Sequence, residues 1–235
     1  MKLPKETEGP EFHGKWYDDA CGAAFAMELI GERWSIPIVR ELMLGGRRFS
    51  DIRASLPGLS AKVLTERLER FEASGILHRT RSPPPASAQL YELTEWGREL
   101  EKVTQALGRW AVRSTLHNPR LPLTPVAFML SLRTMIDRDA AEDLDVTVRF
   151  EIGDDGFFTQ LAQGELDVRR TVDGEHNLAD LVLRAGAAGD FLACFYGKQP
   201  IDSGLIPFTY EGDKKLLERF IACFRLPSKI SGSRG

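Results

Sequence analysis

The sequence predicts an α+β chain of two domains, and three observations predict it. Between residues 19 and 113 apolar residues recur at helical spacing, interrupted by one short pair of strands. From residue 146 the period changes to two, with turn residues every ~8–12 positions. Between the two stretches lies STLHNPRLPLTP, 114–125, with three prolines in twelve residues, the composition of a linker. The expected parts are an arm over 1–18, a first domain over 19–113, the linker over 114–125 and a second domain over 126–228.

The first domain opens with a helix from Asp19, carrying Phe25, Leu29 and Ile30 and stopped by Gly31. A second follows through Trp34, Ile38 and Leu42, with Pro37 in its first turn, where a missing N–H costs little. A short helix starting near Ser50 holds Ile52 and Leu56 and ends at Pro57-Gly58. Ser60 then reads as the N-cap of a helix with an inward stripe of Leu64, Leu68 and Phe71, closed by Gly75. Two short helices joined by a tight turn make a helix-turn-helix. Ile76–Thr80 and Gln89–Leu93 form a hairpin around RSPPPASA, whose prolines exclude helix and interior strand. Thr94 caps a long helix to about Arg113, with Leu100, Val103, Leu107, Trp110 and Ala111 on one face. This order is that of a winged helix-turn-helix.

In the second domain Thr124-Pro125 starts a helix over 126–137. Val146, Val148, Phe150 and Ile152 alternate as a half-buried strand, and turns at Asp154-Asp155-Gly156, Gly164 and Asp173-Gly174 continue an antiparallel meander. Helices over about 188–197 and 213–224, with the strand LIPFTY between them, complete an antiparallel sheet-and-helix domain.

The 235 residues suffice to bury a core without disulfide or metal staples. No run approaches a membrane helix, and the N-terminus has no apolar signal core, so a cytoplasmic protein without a membrane partner is expected. Cys21, Cys194 and Cys223 are too widely spaced for a disulfide framework or a zinc pair. The net charge of −3 hides a local excess: residues 31–81 carry 10 basic against 6 acidic residues, or +4. A basic stretch inside an acidic chain is a modest nucleic-acid signal. G-x-S-x-G, H-E-x-x-H, Walker and G-x-G-x-x-G patterns are absent, so neither an enzyme nor a cofactor is expected. The four histidines are scattered, and the acidic run from Asp137 to Asp145 lacks EF-hand spacing, so no metal site is expected.

Three ordered segments carry a resemblance: CGAAFAMELIGERWSIPIVREL, RRFSDIRASLPGLSAKVLTERLERFEASGIL and YELTEWGREL. Over about 20–113 the chain resembles the HxlR family of winged helix-turn-helix regulators. The resemblance implies a dimeric DNA-binding regulator, often a repressor, which in some members senses oxidants or electrophiles through the cysteine that begins the domain. That cysteine is typically followed by proline; here Gly22 follows Cys21. The second half, through VTVRFEIG, ADLVLRAGAAGDFLACFYGK and FTYEGDKKLLERFIACF, resembles the sterol carrier protein 2-like domain. That resemblance implies a sheet-and-helix fold with an apolar ligand cavity.

A helix in the major groove reads bases through residues near its N-terminus, which here are Ser60, Ala61, Lys62 and Thr65. Arg47, Arg48 and Ser50 are placed for backbone contacts, which set register rather than sequence choice. Arg67 can reach a phosphate or pair with Glu66, Glu69 or Glu72. Arg79 and Arg81 flank the wing and are placed for the adjacent minor groove. Trp16, Tyr17 and Trp110 suggest a partner helix, hence a homodimer on a palindromic operator, with Trp110 as plain core the alternative.

Cys21 heads the first helix, where the dipole lowers a thiol pKa, while Asp18 and Asp19 oppose that. In the second domain alternation puts Phe150, with Phe158, on the inner sheet face, and helices would cover it with Phe191, Phe195, Phe220 and Phe224. These rings are the expected lining for a hydrophobic effector, with core packing as their other reading. The expectation is thus a dimeric regulator of double-stranded DNA whose second domain binds a hydrophobic effector or adds dimer contacts. Two alternatives stay open: a lipid-binding or transfer protein whose winged domain does not bind DNA, and a redox regulator working through Cys21.

Overall fold

The computed structural model describes residues 17, 19–82, 87–172 and 179–230. The arm apart from Tyr17, and with it Trp16 and Asp18, the proline tip at 83–86 and the expected turn at Asp173-Gly174 lie outside the described residues. The chain divides into two compact units, 1–100 and 101–235. The division falls inside a helix, ahead of the expected 114–125 linker.

In the first unit the helices are α1 (Gly22–Ile30), α2 (Ser35–Leu42), α3 (Phe49–Ser55) and α4 (Ala61–Ala73). Strands β1 (Leu77–Arg81) and β2 (Gln89–Leu93) follow, then α5 (Glu95–Ala111). The caps sit where the sequence places them. Ser60 Oγ accepts from the Val63 N–H at 3.2 Å, and Thr94 Oγ1 accepts from the Gly97 N–H at 3.0 Å. Each such cap is worth ~1 kcal/mol. Gly75 follows α4 at φ +75°, a left-handed conformation that glycine adopts without strain. Gly97 is required for a different reason: a Cβ there would stand 2.0 Å from the Ile76 carbonyl oxygen. β1 and β2 pair antiparallel, with Leu77 opposite Leu93 and Arg81 opposite Gln89. Ile38, Val39, Ile52, Leu64, Leu68, Phe71, Leu77 and Leu93 are buried in one core.

Of the expected apolar face on α5, Leu100 packs against this core. Val103, Leu107 and Trp110 do not pack inward: they are 44%, 41% and 74% exposed. The reading of Trp110 as core is therefore overturned.

The second unit holds α6 (Pro125–Met135), capped by Thr124, and the four-residue α7 (Arg138–Ala141). It continues with β3 (Val146–Ile152), β4 (Asp155–Ala162), β5 (Glu165–Arg170), β6 (Leu181–Ala185), α8 (Leu192–Phe195), β7 (Phe208–Gly212) and α9 (Lys214–Ala222). A 3-10 turn over Ala188–Phe191 runs into α8, so the expected helix at 188–197 is shorter and tighter.

The sheet order is β5-β4-β3-β6-β7. β3, β4 and β5 form the expected antiparallel meander, but β6 pairs with β3 in parallel. The sheet is therefore mixed, a correction to the all-antiparallel expectation. The chain returns on the far side of β3 instead of turning back beside β5. Asp180, just before β6, fixes that entry: its carboxylate accepts from the Thr147 N–H at 2.8 Å and from Thr147 Oγ1 at 2.6 Å.

The register also corrects the inner face. Phe150 stands opposite Phe157, so Phe157 is buried and Phe158 points to the other side of the sheet. There the Arg169 guanidinium lies over the Phe158 ring, 4.9 Å from its centre. Inside, Phe128 stacks on Phe191 at 5.2 Å, Phe195 meets Phe220 edge-on at 6.1 Å, and Phe220 meets Phe224 at 5.0 Å. Lys198 closes the helical layer, its Nζ donating to the carbonyls of Phe195, Ile221 and Phe224. Burial, with Arg225 nearby, lowers its pKa.

Candidate nucleic-acid interface

α3 and α4 are joined by a turn through Pro57, Gly58 and Leu59. Gly58 takes φ +90°, and Leu59 is buried as the turn's anchor. The α4 stripe Leu64, Leu68 and Phe71 faces the core, so the opposite side must face solvent. Lys62 and Thr65 lie on that side near the helix start, and the Lys62 side chain is 86% exposed. Among the described residues its ion pair is a long contact of 3.9 Å to Glu66, which leaves the ammonium available. Ser60 is exposed but its hydroxyl caps α4, and Ala61 is half-buried.

The arginines divide sharply. Arg48 is exposed beside the N-terminus of α3, and Ser50 is exposed on its first turn, bonded to Asp51. Arg47 points inward. Its guanidinium donates to Glu41 at 3.0 Å and to Ser55 at 2.9 Å, and the Glu41 side chain is wholly buried. Arg67 also points inward and pairs with Glu32 in the α1–α2 connection rather than with Glu66, Glu69 or Glu72. Burial, and then repulsion from Arg70, lowers its pKa. Arg70 joins the same Glu32 and donates to the Glu28 carbonyl. Local sequence spacing could not find these partners, because they come from other elements of the fold.

Arg79 and Arg81 share one face of β1. Arg79 is held by Glu72 at 2.9 Å and lies over the Tyr91 ring, while Arg81 is exposed at the strand end. Sequence reasoning missed Arg53. It is exposed on α3 three residues after Ser50, a spacing that puts both on one helix face and was available as a signal. Of the cations named for DNA contact, with Arg53, those at 48, 53, 62, 79 and 81 are exposed, Arg79 being held by Glu72.

Cys21 is exposed at the N-cap of α1. The N–H groups of Ala24 and Ala23 stabilise its thiolate and lower the thiol pKa. Cys194 and Cys223 are buried, and burial raises theirs. The expected ligand rings Phe150, Phe191, Phe195, Phe220 and Phe224 are all fully buried and packed on one another, whereas Phe158 is not among them. Among the described residues no group of His, Cys, Asp and Glu could hold a metal ion, and no helix is long and apolar enough to cross a membrane.

The sequence profile of the HxlR-like helix-turn-helix family matches residues 29–118. The uncharacterised HTH-type transcriptional regulator YvaP of Bacillus subtilis (strain 168) is 37% identical over 86 residues, 37% of this chain and 80% of that protein. The HTH-type transcriptional regulator YodB of the same organism is 38% identical over 86 residues, 37% of this chain and 77% of the relative. The solved reduced form of YodB is 35% identical and aligns with 41% of this chain and 95% of its own, at a TM-score of 0.38.

Proposed function

Since the chain belongs to the HxlR-like helix-turn-helix family, we propose that it is a dimeric transcriptional repressor that binds a palindromic operator in duplex DNA. The observation that carries this reading is the start of α4: a capped helix, buried on one side, presenting Lys62 and Thr65 to solvent on the other. Lys62 offers three donors to guanine acceptors or phosphate, and Thr65 a hydroxyl and a methyl to a base edge. Arg48, Arg53 and Arg81 supply phosphate contacts that fix register. Arg47 and Arg67 hold the reading head in shape instead. A two-fold dimer would set half-sites about 34–36 Å apart, or a multiple of that.

The test is titration of the full chain with DNA flanking its own coding region, at several salt concentrations. Wild type should bind with a steep salt dependence, and Lys62→Glu should lose specific binding at unchanged thermal stability. Retention of wild-type affinity by Lys62→Glu would remove α4 from the reading role.

The second unit serves as an effector or dimerisation domain of the sterol carrier protein 2-like kind. What supports this is a one-sided sheet with helices over its apolar face. A hydrophobic effector would take the place of ring contacts among Phe150, Phe191, Phe195, Phe220 and Phe224. A second reading, redox control through Cys21, is favoured by that thiol's exposure and lowered pKa.

A further inference from the structure

At one end of the second unit three distant stretches converge: the C-terminal turn of α5, the α6–α7 junction and the segment after α9. Backbone bonds tie them, from the Arg225 N–H to the Met135 carbonyl at 2.9 Å and from the Asp137 N–H to the Cys223 carbonyl at 2.7 Å. Beyond them Lys229 Nζ donates to the Val112 and Ser114 carbonyls that end α5, holding the last segment beside it. The stretches enclose a groove of about 430 Å³, within the ~300–1,000 Å³ range of small-molecule sites.

Three arginines line this groove, Arg109, Arg138 and Arg225. Arg109 has no hydrogen-bond or ion-pair partner among the described residues. Arg225 reaches Asp137 only through Nε, at 3.5 Å, and Arg138 reaches Glu165 at 3.5 Å. Like charges gathered without full compensation repel, and an anion among them relieves that cost. Asp137 and Asp139 also line the groove, so its net formal charge is +1, three minus two, which suits a single negative charge. The remaining wall is apolar, with Met135 and Leu226.

We propose that this groove binds a small organic carboxylate, its charge held by Arg109 and the outer nitrogens of Arg225 and its apolar body laid on Met135 and Leu226. Guanidinium matches carboxylate in two-pronged geometry. The ligand sits outside the phenylalanine layer, so the inference goes beyond the hydrophobic effector proposed above and does not depend on the DNA-reading role.

Calorimetric titration of the full chain with sodium octanoate, octanamide and sodium phosphate tests it. Octanoate should bind saturably at one site per chain, with the amide and phosphate weaker. Arg109→Ala should weaken octanoate about tenfold, the loss of one charge-assisted contact, with an unchanged melting temperature. Lys62→Glu should bind octanoate like wild type, which separates this site from the DNA-reading one. Equal binding of octanoate and octanamide, tighter binding of phosphate, undiminished binding by Arg109→Ala, or no saturable octanoate heat would each overturn the proposal.

Discussion

Arg47 and Arg48 are neighbours in sequence with opposite roles. Arg47 neutralises the buried Glu41, whereas Arg48 stands in solvent. Arg47→Ala should cost about 1.5–3 kcal/mol, the scale of a lost hydrogen bond to a charged group, because Arg40 still reaches Glu41 at 3.1 Å. Arg48→Ala should change stability by no more than ~0.5 kcal/mol while lowering DNA affinity. Urea denaturation and DNA titration of both variants check this. Cys21 gives a pH prediction. Its thiolate is stabilised by two N–H groups, so its alkylation rate should reach half-maximum below ~8.5, the ordinary cysteine value. Mass-resolved alkylation over pH should label Cys21 first, with buried Cys194 and Cys223 protected until unfolding. If redox control operates here, an oxidant should release DNA from wild type and not from Cys21→Ser.

Helices were more legible than strands, for a physical reason. Ser60, Thr94 and Thr124 announce helix starts because the cap bond is local, three residues long. The face of Phe158 was not legible, because it depends on which residue of β4 stands opposite Phe150. A shift of one position exchanges the faces. The parallel entry of β6 likewise depends on Asp180 meeting Thr147, 33 residues away. In the candidate site, α4's outward residues followed from its own apolar stripe, while Arg47 and Arg67 needed partners on other elements. That pairing makes α4 depend on the α1–α2 connection: Glu32 pairs with both Arg67 and Arg70. Glu32→Gln should lower stability by about 1–2 kcal/mol, since it removes the carboxylate charge that both half-buried arginines share. It should also weaken DNA binding although it removes no cation. Unchanged denaturation and unchanged DNA affinity together would show that the clamp is idle.

For the whole molecule the decisive question is assembly. Val103, Leu107 and Trp110 recur at helical spacing on α5, each more than two-fifths exposed. Tyr17, Phe25 and Met27 are similarly exposed around α1. Apolar side chains in such numbers suit a second copy of the chain. Trp110→Glu should shift the protein toward monomer in sedimentation and reduce operator affinity, with secondary structure retained. A dimer as stable as wild type would place the contact elsewhere.

The interior of the second unit has an optical consequence. Its core rings are phenylalanines, and of the four tryptophans those at 16, 34 and 96 belong to the first unit and Trp110 to the second, on α5. Emission excited at the red edge of the indole band therefore comes entirely from the chain up to the end of α5, while the phenylalanine layer stays dark. Melting of the sheet reaches that channel only through Trp110, so in Trp110→Phe the emission reports the first unit and circular dichroism reports the sheet. In that variant any offset between the two signals reads as one unit loosening before the other, with no label introduced.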